Sequence, residues 1–109
     1  MLTEISDSKE RKMNDTGIKL RVIEEIKELA QKYKIKRVIL FGSRARGDYH
    51  KTSDIDLATE GGNHVRFALD VDELTTTLLK YDIIDLDGPV QEELRHAIRE
   101  EGILLYEEV

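Results

Sequence analysis

The chain has no cysteine, a single proline and no long apolar run. Without cysteine, disulfides and thiolate-bound metals are excluded. No apolar stretch approaches the roughly 18 residues that a membrane span needs. The N-terminus lacks the apolar core of a secretory signal, so a soluble cytoplasmic protein is expected. Positive charge is also scarce, with 17 Lys and Arg against 23 Asp and Glu for a net charge of −6. General binding to a nucleic-acid backbone needs clustered basic surface, so no direct nucleic-acid partner is expected. Aromatic residues make up only 6% and charged residues 37% of the 109 positions. Those proportions fit one small domain with a modest core and a charged exterior.

Residues 1–17 are polar and lack sustained periodicity, and are expected to be a loose N-terminal extension to a domain spanning 18–109. From Ile18 to Lys34, Val22, Ile23, Ile26, Leu29, Ala30 and Tyr33 recur three or four apart, which predicts an amphipathic helix. Lys36 to Phe41 is short, branched and stopped by glycine, as in a buried strand. Ser53 to Ala58 alternates polar and apolar residues and predicts a second strand. Glu60-Gly61-Gly62-Asn63 breaks the chain. A helix is expected from His64 to about Lys80, weakened by Thr75 to Thr77. A third strand is expected over Asp82 to Leu86. A turn at Asp87-Gly88-Pro89 leads into a helix from Val90 to Glu101, with Gly102 as its C-cap, and Ile103 to Tyr106 form a last strand. The order predicts an α/β (α+β) domain, with a small mixed sheet of about four strands packed with helices.

The informative stretch is Gly42 to Leu57, GSRARGDYHKTSDIDL. Glycine after a strand lets the backbone approach a ligand closely. If Ser43 opens a short helix, its free N–H groups and hydroxyl suit an anion. Arg46 can reach the same phosphates through charge-assisted hydrogen bonds. Gly42 to Gly47 imitates the spacing of a P-loop, but Asp48-Tyr49 stand where Lys and Ser or Thr are required, so that reading fails. Asp54 and Asp56 lie two apart on a strand, hence on one face and about 6.6–6.8 Å apart at Cα. Two such charges drawn to about 4 Å cost roughly 4 kcal/mol at an effective dielectric of 20, which a divalent cation removes. A third carboxylate completes such a site, and Asp82 and Asp85 are both candidates on opposite faces of the third strand. Arg44 and Lys51 read equally well as solvated charges, Tyr33 as core, and Asp85 as solvent-facing. His50, His64 and His96 lack metal-ligand spacing.

Gly42-Ser43, Arg46-Gly47, Ser53-Asp54-Ile55-Asp56-Leu57 and a later Asp in an apolar strand together resemble the DNA polymerase β-like nucleotidyltransferases. Within that superfamily the chain is similar to the minimal nucleotidyltransferase (MNT) domains. The resemblance implies the polymerase β-like fold over roughly Ile18 to Tyr106. It assigns nucleotide binding to Gly42, Ser43 and Arg46, and catalysis and metal binding to Asp54, Asp56 and Asp82, with Asp85 as runner-up. It implies two Mg2+ ions, ATP as substrate, and transfer of AMP to a hydroxyl. It further implies that the chain resembles the antitoxin of MNT–HEPN pairs, which adenylylates a tyrosine of a HEPN-family RNase encoded beside it. A small-molecule nucleotidyltransferase and a non-catalytic binding antitoxin are the alternatives.

Overall fold

The computed structural model describes residues 15–109; most of the expected N-terminal extension, residues 1–14, lies outside the described residues. Helix α1 (Leu20–Lys32) leads to strand β1 (Arg37–Phe41), the short helix α2 (Gly42–Arg46) and strand β2 (Ile55–Glu60). Helix α3 (His64–Leu74), strand β3 (Tyr81–Asp85), helix α4 (Glu92–Glu101) and strand β4 (Ile103–Glu107) complete it. The strands form one mixed sheet in the order β3-β2-β1-β4. β1 runs antiparallel to both β2 and β4, and β2 runs parallel to β3.

Alternation along the strands divides the core between the two faces. Val38 and Leu40 of β1, Ile55 and Leu57 of β2 and Leu105 of β4 pack with Ile23 and Ile26 of α1 and Phe67 and Val71 of α3. Phe41, Ala58 and partly buried Ile39 and Ile84 point the other way, against Ile98 of α4. The sheet is therefore covered by α1 and α3 on one face and by α4 on the other. Tyr33, expected in the core, packs at its margin and donates its hydroxyl to Asp70 Oδ2.

Several boundaries differ from expectation: the first helix is Leu20–Lys32, the third strand is Tyr81–Asp85, and others shift by contacts that can be named. The helix expected to reach Lys80 ends at Leu74. Thr75 turns extended, its hydroxyl donates to the Val71 carbonyl at 2.7 Å, and Glu25 accepts the Thr76 N–H at 2.9 Å. The helix expected from Val90 begins at Glu92. Arg95 donates to the carbonyls of Leu86 and Gly88, 2.9 Å each, and so holds the preceding turn open. The strand expected from Ser53 begins at Ile55, because Ser53 closes a turn with His50. Gly102 does follow α4, but with φ −68° rather than in the left-handed conformation. Among the described residues no helix is long and apolar enough to cross a membrane.

Candidate active site

Register brings three chain segments to one end of the sheet. Phe41, the last residue of β1, lies opposite Asp56, and Asp56 lies opposite Asp82. The C-terminal end of β1 thus meets the N-terminal ends of β2 and β3. Asp56 and Asp82 share the α4 face of the sheet with Ala58 and Ile84, as a period of two requires. Asp54 stands two residues before Asp56, just ahead of β2. Asp85 is elsewhere: it pairs with Thr59 near the far end of β3, and its Oδ1 accepts the Asp87 N–H at 2.9 Å.

The electrostatics of this cluster are unfavourable to its own charge. The Asp56 carboxyl is pushed up to about 6, first by burial, then by the negative charges of Asp82 and Asp54, with Arg46 and Arg44 pulling the other way. Among the described residues, no three His, Asp or Glu side chains are gathered closely enough to hold a metal by themselves. A magnesium ion does not need such a cage, since it binds through one or two carboxylates and takes its other ligands from water and substrate phosphates. A half-buried carboxylate crowded by two others is a donor set that fits it.

Gly42 joins the turn to the carboxylates. Its φ of +75° is left-handed, and a Cβ there would run into the carboxylate of Asp56. Glycine is required on both counts, and Ser43 follows it as the second residue of α2. Arg46, on the last turn of α2, is exposed; its Nε lies 3.3 Å from Asp48 Oδ2 and its Nη1 lies 3.4 Å from Glu101 Oε1. Such exposed pairs are weak, so the guanidinium is available to a stronger anion.

Arg44 corrects the reading of it as a solvated charge, for it is only 2% exposed. Its guanidinium donates to the carbonyls of Thr16 (2.8 Å), Ser53 (3.0 Å), Lys51 (3.3 Å) and His50 (3.5 Å), and stacks 4.8 Å from the centre of the Tyr49 ring. It therefore clamps the loop that delivers Asp54 and ties it to the segment before α1. Lys51 contributes only its carbonyl, and its side chain is exposed. No local pattern marks Arg44 for this role, because its acceptors are backbone carbonyls, which every residue carries.

Residues 24–109 match the polymerase β nucleotidyltransferase family. The chain belongs to this family and is a nucleotidyltransferase with the polymerase β-like fold. A relative from Methanocaldococcus jannaschii, provisionally named a protein adenylyltransferase, is 39% identical over a 94-residue match that covers 76% of this chain and 92% of the relative. A solved structure provisionally described as a minimal nucleotidyltransferase is 30% identical, with a TM-score of 0.59 over 74% of this chain and 86% of that one. The fold, at 19% identity and TM-score 0.59 over 80% of this chain and 71% of the other, is also that of a chain in the complex of AMPylated HEPN toxin with MNT antitoxin from Shewanella oneidensis.

Proposed function

We propose that this chain transfers AMP from ATP to a tyrosine hydroxyl of a partner protein, with magnesium, and that the partner is a HEPN-family RNase toxin encoded beside it. Residues 18–109 are the catalytic unit in this reading, acting in the cytoplasm. The observation that carries it is the packing of the Gly42 backbone directly on the Asp56 carboxylate, with Asp82 across the strand pair. A left-handed glycine turn of the kind that suits a phosphate therefore abuts the Asp56 carboxylate, which supports the reading. The protein adenylyltransferase name of the M. jannaschii relative and the AMPylated toxin in the S. oneidensis complex support the choice of acceptor.

In this reading Gly42 gives the triphosphate room, the Ser43 hydroxyl donates to a phosphate oxygen, and Arg46 exchanges its weak ion pairs for the leaving pyrophosphate. Asp54, Asp56 and Asp82 would hold magnesium, which when bound would offset the negative charge of the phosphates. The phenol oxygen forms a bond to the α-phosphorus of ATP while the bond to the bridging oxygen breaks. Pyrophosphate leaves, and the phenol proton passes to solvent by way of Asp82, the carboxylate nearest the sheet edge. The test is incubation of the chain with the adjacently encoded protein, magnesium and ATP labelled at either the α or the γ phosphorus. Label on the partner from α-labelled ATP alone is expected. Label from γ-labelled ATP marks a phosphoryl transfer instead, and no label from either refutes the reading.

A further inference from the structure

We infer that the acceptor enters from the β3 side of the carboxylates, through a lysine-rimmed apolar cleft that selects an acidic segment around the tyrosine; this rests on the nucleotidyl-transfer reading above. In-line displacement requires the nucleophile to approach opposite the leaving group. The phosphate-binding turn follows β1, the carboxylates lie on β2 and β3, and the next feature across the sheet is the loop before β3, whose Lys80 carbonyl accepts the Ile55 N–H at 2.8 Å.

Two hollows that share Leu78 and Leu79 lie beside the loop before β3, the first reaching Asp54 and the second opening onto the α1 face of the sheet. One, of about 440 Å³, is lined by Asp54 together with Leu78, Leu79 and Lys80. The other, of about 360 Å³, shares Leu78 and Leu79 and runs on over Ile18 and Val22 toward Lys19 and Lys51. Asp54 thus belongs both to the carboxylate cluster and to the cleft. Ile18, Val22 and Leu79 make an apolar floor, and Leu78 stands fully exposed at the lip. Lys19, Lys51 and Lys80 are exposed and form no ion pair among the described residues.

In a chain of net charge −6, three lysines with no ion pair among the described residues, beside the one carboxylate Asp54, are a local reversal of sign. Such a reversal steers and registers a partner of opposite charge. The apolar floor takes an aromatic or aliphatic side chain while the lysines meet flanking glutamates or aspartates. An acidic, apolar-flanked tyrosine segment is the occupant that matches both.

The test uses the full chain with magnesium and a non-hydrolysable ATP analogue, and two fluorescent tyrosine peptides of equal length. One is flanked by glutamate and leucine, the other by lysine and leucine. The acidic peptide is expected to bind about tenfold more tightly at low salt, with the advantage shrinking by roughly 0.5 M salt. The double variant Lys51→Glu/Lys80→Glu is expected to lose or reverse the preference while keeping the rise in Tm that ATP and magnesium produce. Equal binding of the two peptides, or an unchanged preference in the double variant, overturns the inference. A wild type whose Tm does not respond to ATP and magnesium removes the underlying reading and the inference with it.

Discussion

Replacing Asp56 with asparagine should abolish transfer and make the metal-free protein more stable. The Asp56 carboxyl titrates near 6 against an ordinary 3.8, chiefly because it is partly buried and then because Asp82 and Asp54 stand beside it. The folded state therefore binds this proton more tightly than the unfolded state. Below about pH 4 both states are protonated and the group is neutral in its effect. As pH rises through 6 the folded state must carry a charge it disfavours, and stability falls. Two pKa units correspond to about 3 kcal/mol; screening by solvent at this half-exposed group reduces that to roughly 1–2 kcal/mol. Asparagine mimics the protonated side chain and loses nothing. For a domain of this size the difference amounts to roughly 5–15 °C in Tm. Thermal melts of wild type and Asp56→Asn in EDTA at pH 4.5, 5.5 and 7.5 should show a gap that opens over this range. Magnesium and ATP should close much of it by stabilising wild type alone. A gap independent of pH, or a wild type that outlasts Asp56→Asn at pH 7.5 without metal, would show that the cluster is not frustrated.

Arg44→Ala strands the carbonyls that the guanidinium serves and should cost about 3–4 kcal/mol, read as a fall in the urea midpoint. Arg44→Lys keeps the charge but not the fork, and should fall between the two, with faster hydrogen exchange over residues 48–54. Gly42→Ala meets both the left-handed backbone, worth about 1–2 kcal/mol, and the Asp56 carboxylate; a fold that survives with transfer down about a hundredfold is expected. Wild-type transfer in that variant would contradict the close packing of turn and carboxylate. Asp82→Asn should lose transfer and, by removing one of the charges that crowd Asp56, raise the metal-free Tm slightly at pH 7.5. Asp85→Asn should keep transfer and cost about 1 kcal/mol through its turn, and the opposite pattern in initial rates would exchange their roles.

Much of the architecture was readable from short-range pattern. The stripe Val22, Ile23, Ile26 and Ala30 marks α1, and the same four residues are its buried face. The alternation Asp54, Ile55, Asp56, Leu57 marks the start of β2 and puts its two apolar residues in the core. What escaped depends on contacts distant in sequence. The end of α3 is settled by Glu25, 51 residues away, accepting from Thr76. The choice between Asp82 and Asp85 as neighbour of Asp56 is made by the parallel register of β2 and β3, which no local periodicity encodes. Arg44 escaped because a buried arginine serving backbone carbonyls looks in sequence like any surface arginine.

The proposed place of nucleotidyl transfer is the Asp54, Asp56 and Asp82 end of the sheet. The most direct measurement is the intact mass of the adjacently encoded partner after incubation with ATP, magnesium and either wild type or the double variant Asp54→Asn/Asp56→Asn. Wild type should add one or more AMP units, mapping to tyrosine, and the folded double variant should add none. A partner left unmodified by wild type, or modified equally by the double variant, contradicts the account.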